Sequence, residues 1–107
     1  MALKGRQYTV TAAAVAPLAL PANGVPTNTQ PGHIPIQEIS FKAAAGNAGT
    51  IYIGNSDVTA VPANALIALP ANQGFTTGPY DNGPEYADDF YVVGTANDTV
   101  FIYVQPR

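Results

Sequence analysis

The chain has 107 residues, with 4 Lys plus Arg against 7 Asp plus Glu, a net charge of −3, and only 10% charged residues. That length suits one domain, in which roughly 65% of the unfolded chain's surface can be buried. Hydrophobic residues reach 47% with no basic cluster, and ten Gly and ten Pro interrupt any long helix, which weighs against disorder, a nucleic-acid surface and a membrane span and favours an all-β domain.

A charged fraction this far below the roughly 25% usual for soluble domains leaves a neutral surface that loses little hydration when covered. An assembly subunit is therefore expected rather than a free monomer. Cysteine is absent, so there is no disulfide framework, thiolate metal site or cysteine nucleophile.

Residues 1–35 read as an extended N-terminal arm and a proline-rich loop attached to a single β domain spanning 1–107. Lys4 and Arg6 followed by the alanine-rich stretch 12–20 faintly mimic a secretory signal, but Gln7, Tyr8, Thr9, Thr11 and Pro17 interrupt it, so no cleaved signal is expected. Residues 7–13 alternate, with Tyr8 and Val10 opposite Thr9 and Thr11, as a short strand does. Pro17, Pro21, Pro26, Pro31 and Pro35 then make 17–35 extended loop. The locally positive arm is expected to dock on a neighbouring subunit, and residues 1–6 to serve attachment rather than folding.

Within residues 34–43, Ile34 and Ile36 share one parity and Ile39, Phe41 and Ala43 the other. A parity switch inside an extended run predicts a β-bulge or a strand between two packing surfaces. A turn at 44–49 leads to a strand at 51–54 with Ile51 and Ile53 inward. Asn55, Ser56 and Asp57 form a turn, and 58–61 reads as another strand. Apolar residues 65–69 run into a turn at 70–74 and a short strand near Phe75 and Thr76; 78–84 is loop. Two strands, 90–94 and 99–104, are expected to form a hairpin through Thr95, Ala96, Asn97 and Asp98. The last carries Val100, Ile102 and Val104 on one face and Phe101 and Tyr103 on the other. Both faces are apolar, so another layer should cover one of them. Six to eight short strands without a helix predict a β-sandwich, jelly-roll-like, or a small barrel.

Chemistry is sparse. His33 is the single histidine, with no nucleophile or orienting acid nearby in sequence, and no P-loop, dinucleotide or nucleophile-elbow pattern occurs. No enzymatic activity and no cofactor are expected. Asp81, Asn82, Glu85, Asp88 and Asp89 form the densest polar cluster; it reads as a solvated acidic loop in preference to a calcium site, because its spacing is not that of an EF-hand. Tyr80, Tyr86 and Tyr91 could stack on sugar rings, which keeps a carbohydrate-binding module as an alternative. Lys4, Arg6, Tyr8, His33, Phe101 and Tyr103 are the residues expected at an interface.

The stretch 37–59 contains Gln37-Glu38-Ile39-Ser40-Phe41-Lys42-Ala43, Gly46-Asn47-Ala48-Gly49-Thr50, Ile51-Tyr52-Ile53-Gly54 and Asn55-Ser56-Asp57-Val58-Thr59. It resembles a pattern of small structural proteins of tailed-bacteriophage virions: a strand, an Asn-x-Gly turn, a short Ile-Tyr-Ile-Gly strand and an Asp-Val-Thr turn. Leu69-Pro70-Ala71-Asn72-Gln73 is similar to a later turn of that family but lacks its glycine. The resemblance spans about residues 37–104 and leaves the proline-rich arm unmatched. It implies a jelly-roll-like capsid decoration or cement protein on the capsid exterior, bridging copies of the major capsid protein. It also implies a homo-oligomer, a trimer in preference to a dimer. A head–tail adaptor or tail-tip protein of the same virion is the nearest alternative.

Overall fold

Alternating β-branched residues along the C-terminal stretch place one row of side chains on each side of an extended chain. In the computed structural model, which describes residues 4–79 and 85–107 (Lys4 through its backbone), this stretch is strand β7, Thr99–Pro106. It lies between β1 (Lys4–Thr9) and β2 (Ile36–Ala43), and β2 pairs on its far side with β5 (Gly74–Thr77). All pairs in this four-stranded sheet are antiparallel. Val100, Ile102 and Val104 point inward with Tyr8, Phe41, Ile39 and Ala43, each at most 9% exposed. Complete burial of one such aliphatic side chain contributes about 1.5–3 kcal/mol, which fixes the register against slippage.

The register shifts between Ile36 and Glu38 where β2 meets β7. That bulge is what the parity switch predicts: it turns both Ile36 and Ile39 into the core, where neither retains exposed surface.

The opposing sheet has three strands in the order β4 (Ile67–Leu69), β3 (Ile51–Gly54) and β6 (Tyr91–Val93). Ile51, Ile53, Leu69 and Val92 face the core from this side. Beyond β6, Val15 exchanges two backbone hydrogen bonds with Val92, at 3.1 and 2.8 Å. Among the described residues the chain is thus all-β, with seven strands in two antiparallel sheets forming a small sandwich.

Three local expectations are corrected. The two strands expected to form a hairpin lie in different sheets, β6 beside β3 and β7 between β1 and β2. Their connector bonds elsewhere: Asp98 C=O accepts from Val10 N–H, Asn97 N–H donates to Val10 C=O, and Gly94 N–H donates to Thr11 C=O. For the same reason β1 ends at Thr9 rather than continuing to 13. Residues 58–61 are not a strand: Val58 is buried in an irregular segment, and Pro62–Asn64 forms a 3-10 turn. Asn64 Nδ2 donates to Asp57 C=O and to Thr59 Oγ1, both at 2.9 Å, which folds this segment on itself.

The proline-rich region is anchored at its base. Leu18 is 3% exposed and belongs to the core cluster. The Arg6 guanidinium donates to Pro17 C=O, and Gly32 N–H donates to Leu18 C=O at 2.9 Å. Residues 22–29 between these anchors are exposed.

Candidate functional site

Residues 33–36 run antiparallel to 85–88. Ala87 N–H donates to Ile34 C=O, Ile36 N–H donates to Glu85 C=O, and Pro35 bridges Tyr86. This pairing brings His33 to the 3-10 turn Ala87–Asp89, across 55 sequence positions. His33 Nδ1 lies 2.9 Å from Asp88 Oδ1. Its ring stacks on Tyr86 with centroids 3.8 Å apart and planes 18° from parallel. The pair borders an open groove of about 450 Å³, also lined by Asn55, Ser56, Glu85, Asp89 and Tyr91.

The orienting acid that sequence spacing did not offer His33 is therefore Asp88. The other half of a nucleophilic relay is not formed: among the described residues Ser56 makes no hydrogen bond to His33. His33 is 63% exposed, so water competes for the pair and its contribution to stability is small.

Ligand atoms of His33, Asp88 and Asp89 lie within 4.8 Å of one another. One imidazole with two carboxylates suits a borderline divalent ion better than calcium, which prefers oxygen alone. Asp88 already engages His33, and Asp89 Oδ2 accepts the Tyr86 N–H at 3.1 Å, so both carboxylates already have a partner within the chain. Asp81, Asn82 and Tyr80, named from the sequence as possible ligands of a cation or a sugar, lie outside the described residues.

A second feature is the outward side of the four-stranded sheet. Register places Gly5, Tyr103, Ser40 and Thr76 in one row across it and Gln7, Phe101, Lys42 and Gly74 in the next. Tyr103 is 48% exposed at the centre of the sheet and Phe101 is half-buried. A Cβ on Gly5 would stand 3.1 Å from Tyr103 Cε1, so the glycine is what lets this ring lie against β1. Ser40 Oγ and Thr76 Oγ1 hydrogen-bond at 2.8 Å, tying β2 to β5 on the same side.

The residues expected at an interface thus fall in different places. Phe101 and Tyr103 share the open sheet face, and His33 stands at the groove. Tyr8 is in the core, and Arg6 faces inward over its ring at 5.3 Å while bonding Pro17. Lys4 sits in β1 opposite Val104.

Comparison with protein-family models, with curated proteins and with solved structures gives no match to this chain. Among the described residues no helix is long and apolar enough to cross a membrane.

Proposed function

We propose that this chain is a structural subunit without enzymatic activity, which acts by covering and joining neighbouring protein surfaces. In its specific form the reading follows the sequence resemblance: a decoration or cement protein on the exterior of a tailed-phage capsid, bound to the major capsid protein. The observation that carries it is the outward face of the β1-β7-β2-β5 sheet, where, among the described residues, Tyr103 is left 48% exposed beside Gly5, Ser40 and Thr76, and Phe101 is half-buried beside Gln7 and Lys42. Tyrosine and phenylalanine are enriched at the centres of protein interfaces, and sparse charge lowers the cost of desolvation. A cement protein needs contact area and many copies rather than a reactive group.

The experiment is localisation on an intact particle. Copy number on the order of hundreds supports a decoration protein, and about a dozen or fewer supports a connector or tail component, following the symmetry of each location. Absence from the particle overturns both.

The groove favours a second reading. Asn55, Ser56 and the carboxylates of Glu85 and Asp89 offer hydroxyl-binding partners beside the Tyr91 ring, the composition a carbohydrate site uses. Glycan binding by the isolated protein, lost in Tyr91→Ala, supports that module.

A further inference from the structure

We infer that the outward face of the four-stranded sheet is a self-complementary surface, on which a second copy of this chain docks back to back about a two-fold axis. The inference deepens the reading above and rests on it only in taking this face as a contact surface.

The outward side of β2 carries Glu38, Ser40 and Lys42, with Ser40 opposite Tyr103 on β7 and Thr76 on β5. Glu38 and Lys42 thus flank the central row symmetrically, about 13 Å apart along the strand. Among the described residues neither has an ion-pair partner within its own chain. Consider a two-fold axis lying between two such faces and running across the strands above Ser40. It sets each Lys42 against Glu38 of the partner subunit, twice, and each Tyr103 ring against Tyr103 of the partner subunit. An axis running along β2 would instead oppose like charges, so the charge pattern favours the axis across the strands. Two sheets related in this way meet as aligned sheets do, at the usual spacing of about 10 Å.

A face meeting its own copy is isologous, and that geometry closes at two subunits. The pattern on β2 therefore favours a dimer over the trimer that the sequence resemblance implies. Four strands spaced about 4.8 Å apart and some 20–25 Å long present about 400 Å² per subunit, below the roughly 800 Å² of a standard interface. An area this small predicts weak association, which many simultaneous attachments on a larger assembly would strengthen.

Sedimentation equilibrium of the full chain from about 5 to about 500 µM tests the proposal, with circular dichroism confirming that each variant is folded. The wild type should dimerise within that range. Tyr103→Ser should weaken association at least tenfold, as removal of a central aromatic anchor does. Lys42→Glu or Glu38→Lys alone should weaken it about fivefold to tenfold by opposing like charges at both contacts, and the double exchange should restore it to within about twofold. A wild type that stays monomeric throughout overturns the proposal, as does a double exchange that fails to restore what the single ones lose. If a monomeric wild type binds particles and Tyr103→Ser does not, the face meets the shell instead; self-pairing is overturned and the assembly role stands. A dimer that binds no particle keeps the pairing and overturns the capsid role.

Discussion

Asn47 and Thr99 exchange two hydrogen bonds: Thr99 N–H donates to Asn47 Oδ1 at 2.8 Å, and Asn47 Nδ2 donates to Thr99 C=O at 2.9 Å. The side-chain amide extends the pairing of β2 with the start of β7, where Thr99 C=O also accepts from Ala44 N–H at 3.0 Å. Next to it the Asp98 carboxylate, 6% exposed, accepts from the amides of Ala48 and Gly49 at 2.8 and 2.9 Å. Two turns that enter different sheets are thereby clipped together.

Asp98→Ala removes both acceptors and leaves two backbone donors without their partner. Charge-assisted bonds of this kind contribute about 1.5–3 kcal/mol each net, and they share one carboxylate, so a loss of about 2–4 kcal/mol is expected. Urea unfolding should show a lower midpoint with unchanged slope. Asp98→Asn keeps one acceptor and should lose about half as much.

Gly49→Ala attacks the same clip sterically. The added Cβ would stand 2.3 Å from Thr95 Oγ1, so Thr95 must rotate or the turns must part, at a cost of about 1–3 kcal/mol. Combining Gly49→Ala with Thr95→Ala should recover part of that loss, and a purely additive double mutant would contradict the contact.

Leu18→Ala should destabilise by about 2–4 kcal/mol, because the base of the proline-rich region belongs to the core. Replacing residues 22–29 with a short Gly-Ser link should change stability by less than about 1 kcal/mol, since the cost of closing a loop varies slowly with its length. Removal of residues 1–6 should lower the thermal transition measurably: it strips Lys4, Gly5 and Arg6 from their partners Val104, Tyr103 and Ile102. The sequence suggests that residues 1–6 are dispensable for folding; the pairing of Lys4, Gly5 and Arg6 in β1 makes those three part of the sheet.

His33→Ala should shift stability by less than about 1 kcal/mol, as expected for an exposed pair. It should also leave particle attachment, where that is measurable, within a few-fold. A loss of about a hundredfold in any measured turnover would instead mark His33 as an acid–base group.

What could be read from the chain divides along the range of the interactions. The bulge in β2 was legible because Ile36 and Ile39 have opposite parity and both are apolar, a pattern written within a few residues. Strand β7 was legible for the same reason, and so was the outward-facing pair Phe101 and Tyr103. The separation of β6 from β7 was not, because it depends on Val10 claiming the connector's hydrogen bonds from almost ninety positions away. The His33–Asp88 pair was hidden in the same manner: each residue is unremarkable locally, and only the pairing of 33–36 with 85–88 brings them together.

The closed base of the proline-rich loop has a practical consequence. Because Gly32 N–H meets Leu18 C=O, the chain leaves and re-enters the sandwich at nearly one point, and nothing lies within 4 Å of a Cβ built on Gly24. Whatever is spliced between Asn23 and Gly24 hangs from a sealed neck, so a foreign epitope placed there is carried as a pendant, with the sandwich left to fold beneath it.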